Sequence, residues 1–307
     1  MAHHGRMDTV VPSVIDHAAH TAYSDPGAHA ALLDELPTDP GALGEVARNV
    51  IVHYRAFQPQ LPEATRGDIN TRWLRAILET DQERHAAPLA EERELATRVQ
   101  GCCRDHTLLC VGALRQHGIP ARSRVGFAGY FTGGFHHDHV IVEAWIDGGW
   151  RRFDPEVEAP SPELATPLDM ALEAADATGF TTAAQAWVAY RRGEIDASRY
   201  GVHPDVPEVG GAGFLYGEVI YEVAHRFGDE LLLWDAWGRI APPDAPVSDE
   251  DAALADGIAA LLLAADAGDL VAERRLLDRY RSDPGLHPGP RILTMDPFGG
   301  PPAHVTL

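Results

Sequence analysis

The residues of this sequence that could carry covalent chemistry are a cysteine, a histidine and an aspartate, in that order along the chain. Cys103 follows Gly101 and opens an apolar stretch that runs to Gln116, which is the pattern of a helix start. A helix N-terminus directs its dipole and its free amide groups at the sulfur, and this lowers the pKa of a thiol. The same amide groups can stabilise an oxyanion. The sequence therefore predicts a nucleophilic thiolate at Cys103.

The base and its orienting carboxylate lie on two successive predicted strands. His139 opens one strand, Asp154 ends the next, and Asp147-Gly148-Gly149 supplies a hairpin signal between them. Because neighbouring strands of an antiparallel hairpin bring such positions together, the carboxylate can hold the imidazole in the tautomer that accepts a proton. The pattern predicts a triad of Cys103, His139 and Asp154.

The segment GCCRDHTLLCVGALRQHGIPARSRVGF resembles the nucleophile segment of the transglutaminase-like superfamily. That segment reads Gly-x-Cys-x-Asp, then an apolar helix, then Gly-Ile-Pro-Ala-Arg. Further along, the family has a catalytic histidine followed by Val-Glu, and an aspartate in Trp-x-x-x-Asp-Pro. The positions that reproduce these motifs are Gly101, Cys103, Asp105, Gly118–Arg122, His139, Val142, Glu143, Trp150, Asp154 and Pro155.

The resemblance implies acyl transfer through a thioester on Cys103, from an amide, ester or thioester of a small molecule or a peptide. Water as the acceptor would make a peptidase or amidase, and an amine would make an amide-forming transferase. Neither a calcium-loop pattern nor a nucleotide motif occurs in the sequence, so no cofactor is predicted. The chain departs from the family pattern at Ile141, where an aromatic residue is frequent, and at Glu156, where threonine is frequent.

The neighbours of the predicted nucleophile are expected to play supporting roles. Cys102 is interpreted as a bystander and Cys110 as a small core residue. Asp105 suits a helix start, and His106 is a poorer base because nothing orients it. A second oxyanion donor beside the backbone N–H of the nucleophile could be Gln100.

Two other functions compete with acyl transfer. In the first, the domain is a non-catalytic binding protein with an idle cysteine, and the absence of a depressed thiol pKa would favour it. In the second, a metal-dependent hydrolase uses the cluster His136–His139, or a site that joins His137 and His139 to Cys103. Because successive strand side chains alternate between faces, adjacent residues rarely converge on one ion. The sequence therefore predicts no metal site.

The order of predicted elements is helical first and antiparallel later, which is typical of an α+β fold. We predict a transglutaminase-like, papain-like core, in which a nucleophile helix packs on an antiparallel sheet, with helical N- and C-terminal extensions. Residues 1–160 would form the N-terminal region and the core, and residues 161–307 a mostly helical extension packed on it, within one extended domain. The predicted helices lie at 40–54, 71–79, 89–99, 103–116, 181–192, 214–227, 249–265 and 270–280, and the strands at 121–130, 140–146 and 150–153.

Composition excludes several classes of function. The formal net charge is −21, which disfavours binding to nucleic acid or to an anionic membrane surface. No lysine occurs, so mechanisms that need a Schiff-base or phosphate-loop lysine are excluded. The adjacent Cys102 and Cys103 do not suit a disulfide framework, no signal pattern opens the chain, and the longest apolar stretch is Ile258–Ala265. A reducing, cytoplasmic setting is therefore expected.

Overall fold

The computed structural model describes residue 11 and residues 13–158, 179–242 and 244–307. Short 3₁₀ segments connect several of the helices and strands. No helix in these ranges is long and apolar enough to cross a bilayer. The α-helices are α1 (Ala30–Asp34), α2 (Pro40–Val50), α3 (Leu74–Arg84), α4 (Cys103–Gln116), α5 (Ala183–Arg191), α6 (Ala212–Arg226), α7 (Asp249–Asp266) and α8 (Leu270–Ser282).

The described residues also form three sheets. The strands are β1 (Ile51–His53), β2 (Val99–Gly101), β3 (Ala121–Thr132), β4 (Phe135–Ile146), β5 (Gly149–Phe153), β6 (Phe180–Thr182), β7 (Tyr200–Gly201), β8 (Asp235–Ala236), β9 (Arg291–Thr294) and β10 (Ala303–Thr306). The five-stranded central sheet has the order β5-β4-β3-β6, with β7 also paired to β4. Its long strands β3 and β4 are antiparallel, as are β4 and β5.

Helix α4 is the element that joins the central sheet to the N-terminal region. It packs against β3 and β4 on one side and against α2 on another. Every residue from Cys103 to Arg115 is buried, so this helix runs through the interior and has no solvent face over that length. Its start is fixed by the parallel pair β1 and β2, because β2 ends at Gly101, two residues before the helix begins.

A buried ionic network ties the C-terminal helices to the central sheet. Arg124 of β3 lies 2.9 Å from Glu222 of α6 and 2.6 Å from Asp266 at the end of α7. Asp266 also pairs at 2.7 Å with Arg226 of α6, which reaches Glu273 of α8 at 2.8 Å. Since buried charges are costly unless paired, these contacts fix the mutual positions of α6, α7, α8 and the sheet.

The structure confirms the predicted α+β class, with a helix at Cys103–Gln116 packed on an antiparallel sheet. The predicted helix at 89–99 is wrong: the segment holds only a 3₁₀ turn and strand β2. Buried Arg93 causes the difference, because its guanidinium pairs with Asp81 at 2.5 Å and draws nearby carbonyl groups to itself. Those carbonyls belong to Pro88, Leu89 and Glu91.

Further expectations concern the C-terminal half. The segment after Pro284, where no strand was predicted, contains β9 and β10, which pair with each other, while β9 also pairs with β8. The boundary proposed between residues 160 and 161 lies outside the described residues. Among the aromatic residues, Trp237 and Tyr216 are buried in the core, and the partly buried Phe214 and Trp234 pack against it.

Gly126 is a position where the backbone packing around His139 allows no side chain. It pairs with His139 on β4 and with Thr182 on β6. A Cβ at this position would lie 2.2 Å from the Thr181 carbonyl oxygen and 2.8 Å from the Thr182 Cα. We expect Gly126→Ala to lower the free energy of unfolding by about 1–3 kcal/mol, measured by urea denaturation.

Gly133→Ala is the matched control, because a Cβ there would have no atom within 4 Å. Equal stability of the two variants would show that β6 can move away from β3 without cost.

Candidate active site

The predicted nucleophile lies at the junction of β2 and α4. Cys102 has an extended backbone, and Cys103 is the first residue of the helix. The Asp105 carboxylate accepts a hydrogen bond of 2.9 Å from the Cys102 backbone N–H, which is the role expected of a residue at a helix start. Cys103 is only 5 % exposed, so a substrate would reach its sulfur only after nearby groups move.

His139 and Asp154 form the hydrogen bond that the sequence predicts. The His139 Nε2 lies 2.7 Å from the Asp154 Oδ2, and both residues are buried. The same carboxylate accepts hydrogen bonds from the Tyr130 hydroxyl at 2.6 Å and from the Glu156 backbone N–H at 2.9 Å. Because an ionised carboxylate only accepts, Nε2 carries a proton, and whenever the ring is neutral its Nδ1 offers a lone pair.

Glu156 is a fourth member of the site. Cys103, His139 and Glu156 each place one sulfur, nitrogen or oxygen donor atom within 4.8 Å of the other two. The Glu156 Oε2 lies 3.7 Å from the His139 Nδ1, and its Oε1 lies 3.7 Å from the His106 Nδ1 and 4.0 Å from the His53 Nε2. Its carboxylate therefore faces the side of His139 opposite to Asp154.

The surroundings of Cys103 oppose the thiolate. A hydrogen bond with the Cys102 thiol, burial, and the negative charges of Glu156 and Asp138 raise the pKa of Cys103 well above its usual value. The predicted lowering by the helix N-terminus is therefore wrong, because these effects outweigh the dipole. In this closed site the cysteine is a neutral thiol.

His139 and Asp154 are shifted in the directions that a charged pair requires. Burial disfavours the imidazolium, but the charge of Asp154, its hydrogen bond and the nearby Glu156 outweigh burial and raise the pKa of His139. Burial also disfavours the carboxylate, yet the interactions with His139 and Tyr130 lower the pKa of Asp154. Asp154 is thus held ionised beside the ring.

The other residues near the nucleophile are engaged elsewhere. The Gln100 side-chain amide donates to the Pro62 carbonyl at 2.9 Å and to the Thr65 hydroxyl at 2.7 Å. Both of its hydrogens are therefore used, and the geometry does not support the prediction of Gln100 as an oxyanion donor. His106 has its Nδ1 2.9 Å from the Cys102 carbonyl, and Cys110 is fully buried in the core.

The histidine cluster at 136–139 does not converge on one point. His136 stacks on Tyr200 with 4.3 Å between ring centroids. His137 makes contacts of 3.0 Å from Nδ1 to the Val202 carbonyl and from Nε2 to the Thr132 hydroxyl. The hypothesis of a metal-dependent hydrolase built on this cluster is therefore wrong. Neither is His137 part of the group formed by Cys103, His139 and Glu156.

Sequence reasoning missed Tyr130, Phe131 and the position of Glu156. Phe131, which is 48 % exposed, sets its ring edge-on to His139 at 5.0 Å between centroids and so borders the site. The hairpin register could have located Glu156. Val142 pairs with Phe153, so continuing the antiparallel register past the end of β5 places residue 156 across from His139.

Part of the chain is similar to a known protein family. Residues 59–155 match the family model of the transglutaminase-like superfamily, and this range contains Cys103, His139 and Asp154. No curated protein matches the chain significantly. A solved structure from Cytophaga hutchinsonii described as a "putative cysteine protease" is 20% identical, with a TM-score of 0.31, over 50% of this chain. The match spans 45% of that protein's own chain, which is less than half its length.

Glu156→Gln tests the cause of the raised thiol pKa. Because the substitution removes a negative charge beside Cys103, we expect the thiol pKa to fall by about one unit, with about tenfold faster alkylation of Cys103 at neutral pH. Iodoacetamide labelling against pH, with Cys102 and Cys103 resolved by fragmentation mass spectrometry, measures the change.

Glu158→Gln is the control, because it removes a charge from an exposed carboxylate two residues away. If both variants label like the wild type, Glu156 does not act on the thiol.

Proposed function

We propose that the transglutaminase-like domain of this chain catalyses acyl transfer through a thioester on Cys103. His139 would act as the base and Asp154 as the residue that orients it. The observation that carries this proposal is the position of His139, whose Nε2 is bonded to Asp154 at 2.7 Å while its ring lies within 4.8 Å of Cys103. The acyl donor would be an amide, ester or thioester of a small molecule or a peptide, and the acceptor water or an amine.

The raised pKa of Cys103 favours a mechanism in which the thiol proton moves to His139 during attack. A thiolate–imidazolium pair that exists before substrate binds is less favoured. Since the pKa of Cys103 is raised, the thiol keeps its proton until a carbonyl approaches. As the sulfur forms its bond to the carbonyl carbon, the proton passes to His139, and Asp154 stabilises the imidazolium. The imidazolium then protonates the departing amine, alcohol or thiol, which leaves a thioester on Cys103.

The second half of the reaction would use the same groups in reverse. Neutral His139 takes a proton from the incoming water or amine, whose oxygen or nitrogen attacks the thioester carbonyl and expels the Cys103 sulfur. The developing negative charge on the carbonyl oxygen would face the backbone N–H of Cys103 at the start of α4. That donor belongs to the helix terminus and is therefore fixed before substrate binds.

A second candidate is the non-catalytic binding protein, and two observations favour it. The pKa of Cys103 is raised, and its side chain is buried. In that case the buried cluster of Cys103, His139 and Glu156 would be a remnant that stabilises the fold. Covalent trapping distinguishes the two functions, because only an acyl-transfer enzyme forms a thioester that depends on the base.

The thioester can be trapped with p-nitrophenyl acetate as an activated acyl donor. We expect wild-type protein to gain an acetyl group on Cys103, and His139→Ala to gain it about 10²–10⁴ times more slowly because it lacks the base. Intact-mass and fragmentation mass spectrometry measure the rate and the site. Cys110→Ala, which changes a buried core cysteine, should acetylate like the wild type.

Acetylation of Cys102 in place of Cys103, or rates that do not depend on His139, would contradict the assignment. Loss of all acetylation in a folded wild-type protein would favour the binding-protein function.

The pH dependence of acetylation tests the coupling between Asp154 and His139. The base must be neutral, so the rate should fall as the pH drops through the raised pKa of His139. Asp154→Asn keeps an acceptor for Nε2–H but removes the charge that raises this pKa. We therefore expect its acid limb to move to lower pH, while Asp154→Ala, which also loses the acceptor, slows the reaction about 10²-fold.

Glu158→Gln is again the control, since it removes a remote negative charge. An acid limb that stays in place in Asp154→Asn would show that another group is the base.

A further inference from the structure

Three side chains of the candidate active site carry the donor atoms that zinc prefers. Cys103, His139 and Glu156 offer a sulfur, an imidazole nitrogen and a carboxylate oxygen within 4.8 Å of one another. This is the only such group of three among the residues that the structure describes. Thiolate, imidazole and carboxylate together are ligands of Zn²⁺, whereas calcium and magnesium select oxygen atoms alone.

The spacing is close to that of a coordination sphere. In a tetrahedral zinc site with bonds of about 2.0–2.3 Å, neighbouring ligand atoms lie about 3.5 Å apart. The Glu156 Oε2 is already 3.7 Å from the His139 Nδ1. A side-chain movement of about 1 Å would therefore bring all three donor atoms into range.

Asp154 supplies the outer partner that metal-bound histidines normally have. It accepts a hydrogen bond from the His139 Nε2 at 2.7 Å and itself accepts one from the Tyr130 hydroxyl at 2.6 Å. A carboxylate in this position fixes the ring orientation, raises the basicity of the other nitrogen and leaves that nitrogen free to bind a metal.

Glu156 lacks a hydrogen-bond partner for its side chain in the described part of the chain. Its side chain is 13 % exposed, and the basic atoms that approach its carboxylate are three histidine nitrogens at 3.7–4.0 Å. Two of those rings already have other partners: the His139 Nε2 is bonded to Asp154, and the His106 Nδ1 contacts the Cys102 carbonyl. A carboxylate left in this state gains most from a cation placed between it and the thiol.

We propose that Cys103, His139 and Glu156 bind one Zn²⁺ ion, and that the ion switches off the acyl transfer proposed above. Binding replaces the thiol proton by the metal: the S–H bond breaks, an S–Zn bond forms and the proton leaves to solvent. The bound sulfur shares an electron pair with the ion, which makes it a weaker nucleophile towards the acyl carbonyl, and His139 no longer has a free Nδ1 to accept a proton. The regulatory part rests on the proposed function, whereas the metal site does not.

The metal site can be tested on full-length protein that has been treated with EDTA and freed of the chelator. We expect ZnCl₂ to protect Cys103 from iodoacetamide and CoCl₂ to give a thiolate-to-cobalt charge-transfer band with one ion per chain. Glu156→Gln should weaken zinc affinity at least about tenfold, as loss of a metal-site carboxylate does. Glu158→Gln and Cys110→Ala should bind like the wild type, and Cys103→Ser should lose the cobalt band.

For each variant, the labelling rate of Cys103 with zinc is divided by the rate of the same variant without metal. This ratio removes the effect of Glu156 on the reactivity of the thiol. Equal zinc affinity in wild type and Glu156→Gln, or a cobalt band that survives in Cys103→Ser, would overturn the site. Acetyl transfer that is faster with zinc than without it would overturn the inhibitory role. Metal-free protein that never acetylates, yet still shows zinc protection, would refute acyl transfer and uphold the site.

Discussion

The buried hydrogen bond between His139 and Asp154 is the interaction on which the candidate site depends. A carboxylate so far from solvent is tolerated only when it is hydrogen-bonded or paired with a positive charge, so Asp154 must keep its contact with His139 in the folded state. The antiparallel pairing of β4 and β5 maintains this contact, because it brings Asp154, which follows the end of β5, beside the part of β4 that carries His139. Tyr130 and the Glu156 N–H then occupy the remaining capacity of the carboxylate. The ring is left with one free nitrogen and one orientation.

The opposite side of the ring has a different electrostatic character. Glu156 and Asp138 make the space around Cys103 negative, which holds the proton on the sulfur even though the helix start alone would release it. The site is therefore negative on both sides of His139. Cys103 therefore reacts slowly with oxidants and alkylating agents until a substrate or a cation changes the charge around the sulfur, because reactivity follows the thiolate.

Much of the fold and the triad could be predicted from sequence, because both depend on local signals. The helix at Cys103–Gln116 and the hairpin at residues 147–149 are determined by short-range patterns, and the structure has Cys103, His139 and Asp154 near one another, as these patterns predict. The catalytic roles of the three residues stay a prediction. The predictions that failed depended on distant partners. Arg93 prevents the segment 89–99 from forming a helix, and its partner Asp81 lies on α3. The thiol pKa depends on the hydrogen bond with neighbouring Cys102, and also on burial and on the charges of Glu156 after β5 and Asp138 on β4, which no pattern around Cys103 contains.

The arginine network between the sheet and the C-terminal helices has a consequence for how this protein can be divided. Arg124 and Arg226 are almost completely buried, and Asp266 and Glu273, on the last two helices, are among their counter-charges. Removing those helices would leave guanidinium groups in the interior with fewer partners. Breaking one buried ion pair by removing a partner lowers the free energy of unfolding by about 3–5 kcal/mol. Carboxylates of α7 and α8 thus neutralise buried arginines of α6 and of the sheet that holds His139. A shortened core would need those arginines replaced by neutral side chains before it could stand alone.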